Sequence, residues 1–216
     1  MSLSLTSFLE VMPSLLKAAV VTVEISVLSL AFACVIAPPL AIVRMIGPWP
    51  LRFSVLALVE AVRGVPPLVV IAFVYFALPA IGLTFNGFWT GVTALTVVGA
   101  VYAVDIVRSS IESLGRGQKE AAQALGFPVW RAYLEILFPQ ALKRILPPLT
   151  NELANVIKAS ALLSVISVNE ISHVGQGLIF ETFIVVEIII QMAILYLIIV
   201  GCLSVLSKAL ERRLAH

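Results

Sequence analysis

Glu60 and Arg63 stand three residues apart, and Asn151, Asn155 and Lys158 follow one another at spacings of four and three, all inside stretches otherwise rich in Val, Leu, Ile and Ala. Such spacings put side chains on one face of a helix. Glu60 and Arg63 can therefore pair, either as a structural ion pair that fixes helix packing or as part of a gate or cavity wall. Asn151, Asn155 and Lys158 make a polar stripe, with Glu152 about 100° round the helix from Asn151. A stripe of this kind lines a path or bonds to a neighbouring helix. Lys158, with no evident partner in its own turn, favours the path. Asp105 and Arg108 form another i, i+3 pair at the end of the third span, read either as an anchor for the adjoining elbow or as an interfacial ion pair. Catalysis fits poorly: the chain has no Gly-x-x-x-x-Gly-Lys-Ser/Thr phosphate cradle, no Ser nucleophile elbow and no His-Glu-x-x-His. His173 and His216 each stand alone, and Cys34 and Cys202 sit in apolar runs as packing residues.

The elements that carry these groups are membrane-length. Of 216 residues, 61% are hydrophobic and 12% charged, against about 25% charged in soluble domains, and mean hydropathy is +1.09. A net charge of +2 gives no case for nucleic acid. A span needs about 20 mostly apolar residues, which predicts five: 15–43, 53–78, 88–107, 141–168 and 183–207. Backbone satisfaction in lipid makes each a helix, and the absence of alternating polarity excludes a barrel. Gly64, Pro66 and Pro67 should kink or unwind the second span near its middle, and Pro147 and Pro148 should bend the fourth. The first run is too long for a cleaved signal and lacks a basic leader, so it reads as a retained span. With no internal repeat or linker, residues 1–216 read as one integral domain in contact with the lipid bilayer.

Lys and Arg set the orientation. Arg44, Arg52, Arg108, Arg116, Lys119, Arg131, Lys143, Arg144, Lys208, Arg212 and Arg213 fall on one side, eleven of the fourteen basic residues, and only Lys17 on the other. This predicts the N-terminus outside, the C-terminus inside, and a cytoplasmic elbow over 114–139. Within the elbow, 118–125 reads as a short helix of strong formers. Gly126 suits the position that ends it, Pro128 the first turn of a second helix over 129–137, and Pro139 a stop. Ala121, Ala122, Leu125, Phe127 and Trp130 supply apolar surface, ringed by Lys119, Glu120, Arg131 and Glu135. That mixture suits a protein partner or, alternatively, an amphipathic helix lying on the membrane surface.

Glu120-Ala121-Ala122, Gly126 and Phe138-Pro139 resemble the "EAA" loop of bacterial ABC-importer permeases. Glu60 to Pro66, Ala103 to Arg108, Gly117-Gln118, Pro139 to Leu142, Leu146 to Asn151, Leu163 to Ile166 and the final Leu210 to Leu214 are similar to the polar amino-acid uptake branch, the His/Glu/Gln/Arg/opine type. The resemblance covers most of the chain. It implies the all-α type I importer permease fold, with five transmembrane helices and a coupling-helix elbow. It implies a bacterial plasma (inner) membrane location, and an assembly with an ABC ATPase dimer, a second permease subunit (same or paralogous) and an extracytoplasmic solute-binding protein, carrying a polar amino acid. No cofactor is expected on this chain; ATP and Mg belong to the partner ATPase. Lys119, Glu120, Ala121, Ala122, Leu125, Gly126 and Phe127 map to ATPase coupling, and Glu60, Arg63, Asn151, Asn155, Lys158 and Ser160 to the pathway.

The departures are specific. Val65 stands where the branch has Thr, Asp105 where it has Glu, and Lys158-Ala159-Ser160-Ala161-Leu162 where it reads Lys-Asp-Thr-Ser-Leu. If the missing acid helps hold a substrate ammonium, this subunit is the quieter half of a heterodimer, or its substrate differs from the branch norm. The alternative from another class is a gradient-driven secondary transporter or channel in which Glu60 and Asp105 relay protons. Such folds often carry inverted repeats, which five unrepeated spans disfavour. A membrane scaffold without a path is disfavoured by polar residues along two interrupted spans.

Overall fold

The computed structural model describes the backbone of residues 5–214, and the regular elements among them are all helical. His216 lies outside the described residues, as do the side chains of Arg116 and Arg213 that entered the charge asymmetry. Helix α1 runs Leu5–Ile46, through Pro13, Pro38 and Pro39. At 1.5 Å per residue it is about 60 Å long, twice a hydrocarbon core of about 30 Å. It therefore extends well beyond the expected span at its N-terminal end. α4, Gly87–Glu112, opens on Asn86, whose side-chain oxygen accepts from the Trp89 N–H at 3.0 Å, satisfying one of the free donors of a helix start. α4 is the centre of the fold: 72% of its most apolar window is buried, against 28% for α1 and 17% for the last helix, α9, Val185–Leu214.

The second span is not one kinked helix. α2, Trp49–Gly64, and α3, Pro67–Ala80, are separate helices whose directions differ by 109°. Pro66 forces the residue before it out of helical geometry, and Val65 is extended at φ −103°, ψ 135°. Pro67 then starts the next helix, where a missing N–H costs nothing. The pair cannot be a single straight crossing.

The elbow begins with α5, Arg116–Ala124, and turns at Gly126 with φ +78°. It resumes in α6, Val129–Arg131, and a π-helical stretch, Ala132–Leu137, that runs directly into α7, Phe138–Ala159. Pro139, expected to stop the second elbow helix, instead lies in the first turn of α7. The widened π turn just before it shifts the bonding register, so a residue without an N–H is tolerated. Pro147 and Pro148 likewise lie inside α7 without ending it. The break falls later. A 3₁₀ stretch, Ser160–Ile166, ends at Ser167 in the left-handed region, φ +57°, and α8, Ile171–Thr182, leaves at 49°. The sequence reading placed no helix at α8.

Among the described residues, three helical stretches are alone long and apolar enough to cross a membrane, Glu10–Ile46, Gly87–Glu112 and Val185–Ala209, and up to five crossings result if each bent pair counts as one. Among the described residues, three apolar clusters follow one another along α1. One joins α1, α2, α4, the elbow and α7 through Ala41, Val59, Val104, Tyr133 and Ile145. The second holds Ile25, Ile71, Leu95 and Leu163, and the third Leu15, Ile171 and Leu195. Gly91 lets α4 approach the 3₁₀ stretch: a Cβ there would lie 3.0 Å from Leu163 Cδ1.

Candidate functional site

Asp105 is the hub of a six-residue charge network. The carboxylate accepts from Arg44 Nη1 at 2.7 Å and Arg63 Nη1 at 2.6 Å, with Arg108 Nε at 3.4 Å. Glu60 lies 3.6 Å from Arg63 and 3.7 Å from Arg44, and Glu112 accepts from Arg108 at 2.6 Å. Three cations and three anions thus tie α1, α2 and α4 together where their Arg-bearing ends meet. Arg63 also sits 5.9 Å over the Tyr102 ring. The Glu60–Arg63 pair read from spacing is present, but it is the weaker of Arg63's two ion pairs. Asp105 and Arg108, read as an anchor, join it rather than standing apart.

Beside the network is a cavity of about 560 Å³ whose lining includes Arg44, Glu60, Arg63, Tyr102, Asp105 and Glu152. A second, of about 260 Å³, is lined by Pro67, Tyr102, Glu152 and Asn155 among others. Tyr102 and Glu152 border both. Asn155 donates to Glu152 at 3.2 Å, so the acid outside the stripe is drawn into it. Asn151, Asn155 and Lys158 are all exposed on α7, while Glu152 is buried. Ser160 does not join them: it is fully buried and its hydroxyl donates to the Ile157 carbonyl at 2.8 Å. The helix tightens to 3₁₀ at Ser160, which ends the 3.6-residue periodicity that carried the stripe.

The elbow is held by residues that spacing did not reveal. Arg144 on α7 donates to the Ser113 carbonyl and, at 2.8 Å, to the Ser113 hydroxyl. Ser110 donates back to the Arg144 carbonyl at 3.4 Å, and Gln140 bonds Gln118 at 3.3 Å. Lys119 lies 5.8 Å over the Tyr133 ring. Ala122 is buried against the rest of the knob, and Phe127 is half-buried. Glu120, Ala121, Leu125 and Gly126 are exposed, Leu125 at 76%, beside exposed Val129 and Trp130. The knob therefore offers an apolar tip ringed by charge. Among the described residues no group of three or more His, Cys, Asp and Glu converges as a metal site.

The description "binding-protein-dependent transport system inner membrane component" belongs to a family whose model matches residues 29–216. The chain belongs to this family. Its relatives include the probable glutamine ABC transporter permease protein GlnM of Bacillus subtilis, 34% identical over 89% of each chain. The glutamine transport system permease protein GlnP of Escherichia coli is 36% identical over 94% of this chain and 93% of that one. The arginine transport system permease protein ArtQ of Bacillus subtilis is 30% identical over 99% and 98%. Among solved structures, a crystal structure of an amino acid ABC transporter with histidines aligns with TM-score 0.89 and 28% identity, covering 99% of this chain and 100% of that one. The MetNI methionine ABC transporter in an inward-facing conformation shares the fold, with TM-score 0.83 and 19% identity over 99% of each chain.

Membership of the inner-membrane component family makes the chain a non-catalytic transport subunit; ATP hydrolysis is the work of the partner ATPase. In this family member, the missed residues Arg44, Glu112, Ser110, Ser113 and Arg144 had one legible signal, their place at predicted span ends. The partners of Arg44, Ser110, Ser113 and Arg144 are 31 to 61 positions away, so no local spacing could pair them; Glu112 is the exception, since its i, i+4 spacing from Arg108 was legible.

Proposed function

We propose that the chain is the permease subunit of a type I ABC importer for polar amino acids, one transmembrane domain forming half of the pathway. It sits in the bacterial inner membrane with its N-terminus outside and the elbow in the cytoplasm, as the basic bias of the α1, α4 and α9 C-terminal ends supports. It works with a second permease subunit, two ATPases and an extracytoplasmic solute-binding protein. The observation that carries the reading is the elbow: a two-helix knob with Gly126 at its corner, Leu125 and Trp130 exposed at its tip, and Gln140 and Arg144 on α7 bonding its first helix at Gln118 and the end of α4 at Ser113. Names of relatives, glutamine and arginine permeases, support the substrate class.

ATP closes the nucleotide dimer, the knob moves with it, and α4 and α7 carry the motion to the cavities at Asp105 and Glu152. Glu120, Ala121, Leu125 and Gly126 meet the ATPase; Ala122 and Phe127 brace the knob from within, and exposed Lys119 lies over its Tyr133 ring. Glu60, Arg63, Asn151, Asn155 and Lys158 border the path. Coupling of this kind is a difference in affinity for two global states. Ser160, buried away from the stripe, supports the helix rather than the substrate.

The test is reconstitution with the ATPase and the binding protein in proteoliposomes. A polar amino acid on its binding protein should stimulate ATP turnover and uptake together. Uptake by this chain alone on an ion gradient, with no ATPase present, would overturn the proposal in favour of a secondary transporter.

A further inference from the structure

On the other flank of Arg44 and Arg108, away from Glu60 and Glu152, lies a separate pocket of about 610 Å³ that no part of the transport cycle above uses. Arg44, Arg52, Arg108 and Glu112 supply its charge, and Trp49 and Phe53 an aromatic wall. Arg108 satisfies Glu112 at 2.6 Å, and Arg44 and Arg108 both reach Asp105. Arg52 differs. Its Nε donates to the Arg44 carbonyl at 3.2 Å, and among the described residues no carboxylate lies within ion-pair distance of it. The pocket therefore carries an exposed guanidinium whose remaining donors have no anion.

The wall fixes what kind of anion fits. Trp49 and Phe53 stack at 5.8 Å with planes 16° apart, and they are 76% and 58% exposed. Leu51 and Leu56 continue the apolar flank, also exposed. Exposed Trp at a membrane–water boundary sits at headgroup level, and basic pockets between membrane helices take lipid head groups. α2 opens at the same place with no side chain capping its free N–H groups, a further preference for negative charge. A soluble anion would use the arginines and leave the aromatic flank in water; a phospholipid uses both.

We propose that this pocket binds the phosphate of an anionic phospholipid, with Arg52 as its principal ligand, Arg44 and Arg108 as supporting donors, and Trp49 and Phe53 packed along the lipid's glycerol and upper acyl chains. Bound there, the phosphate shares Arg44 and Arg108 with Asp105, so lipid occupancy and the charge network are linked. The proposal needs only that α1 and α4 cross a bilayer and is independent of the transported substrate.

Of the three tryptophans, Trp49, Trp89 and Trp130, a W89F/W130F background leaves Trp49 as the reporter. The full chain in phosphatidylcholine nanodiscs receives brominated phosphatidylglycerol or, at equal mole fraction, brominated phosphatidylcholine. Phosphatidylglycerol should quench Trp49 preferentially. R52Q should lower that preference about tenfold, the factor for one charge-assisted hydrogen bond, while K208Q, which removes an exposed charge elsewhere, should leave it intact. Arg52 holds a single hydrogen bond, so R52Q should insert normally; if it does not, R52K, which keeps the charge without the planar fork, should show an intermediate preference. Equal quenching by the two lipids, or equal loss in R52Q and K208Q, overturns the proposal. Abolition of the preference by inorganic phosphate assigns the site to a soluble anion, and abolition by added ATPase assigns it to that protein; either result also overturns it.

Discussion

Arg63 Nη1 lies 2.6 Å from Asp105 Oδ2, closer than to Glu60 three residues away on its own helix. α2 and α4 are thereby joined by a bond between positions 42 apart. Asp105 is also the acceptor for Arg44 on α1, so one carboxylate holds three helices. A group with that many cationic neighbours leaves them mutually repelling when it is removed.

Asp105→Asn should therefore destabilise the chain by roughly 1–3 kcal/mol, less than the 3–5 kcal/mol typical of a fully buried pair because Asp105 keeps some solvent contact. Thermal unfolding of the detergent-solubilised protein reads it directly. Asp105→Glu, the residue usual in the resembled branch, should recover most of the loss. Glu60→Gln, which touches only the longer contacts, should cost under 1 kcal/mol.

Gly126→Val isolates the coupling corner. Nothing lies within 4 Å of a Cβ built there, so the substitution meets no steric clash; the strain is that of φ +78° alone. A β-branched residue in that region costs roughly 1–2 kcal/mol. The chain should still insert, while amino-acid-stimulated ATP hydrolysis and uptake both fall. Fully stimulated hydrolysis in this variant would remove the elbow from the coupling path.

Arg144→Gln should loosen the knob from α4 by removing the bonds to Ser113. The expected result is lower stimulated ATP turnover with normal membrane insertion. In a double-mutant cycle, Ser113→Ala should cost much less in the Arg144→Gln background than in the parent, because the two act through the same contact. Strict additivity would show that the contact carries no coupling.

Asn155→Leu and Ser160→Ala separate the stripe from its neighbour. Asn155 borders the smaller cavity and bonds Glu152, so its replacement should reduce uptake at least severalfold and leave Glu152 without that donor. Ser160 is buried, donates to the Ile157 carbonyl of its own helix and also bonds the Tyr196 hydroxyl on α9, and Ser160→Ala should change stability by roughly 1–2 kcal/mol with substrate preference intact. A changed amino-acid preference in Ser160→Ala would put that hydroxyl in the path.

Glu170 is a fully buried carboxylate that caps α8. It accepts from the Ser172 and His173 N–H groups at 2.8 and 2.7 Å and from the Tyr196 hydroxyl at 2.9 Å. Glu170→Ala should cost more than the roughly 0.5–2 kcal/mol of an exposed cap, since it also takes the carboxylate acceptor from the Tyr196 hydroxyl, which keeps Ser172. Hydrogen exchange at the α8 amides is the local readout.

Much of the helical content was legible because long apolar runs leave the backbone no alternative to intrachain bonding. Gly126 and the α5 helix were legible for the same local reason: helix formers followed by the residue best able to adopt a left-handed turn. The errors were local rules overridden by context. Pro139 reads as a stop, yet the helix runs through it once a π turn shifts the register. α8 was missed because its apolar run is too short to register as a span.

The sequence by itself determined the membrane character, the elbow, the break at Gly64–Pro67 and the polar stripe on α7, since each depends on residues within a few turns of one another. Only the tertiary structure decided that Asp105 gathers Arg44, Arg63 and Arg108, that Arg144 holds Ser113, that Glu152 joins the stripe and that Ser160 leaves it. Ion pairs and hydrogen bonds act over a few ångströms, and which side chains come that close is set by how helices pack, a property that periodicity along one helix does not contain.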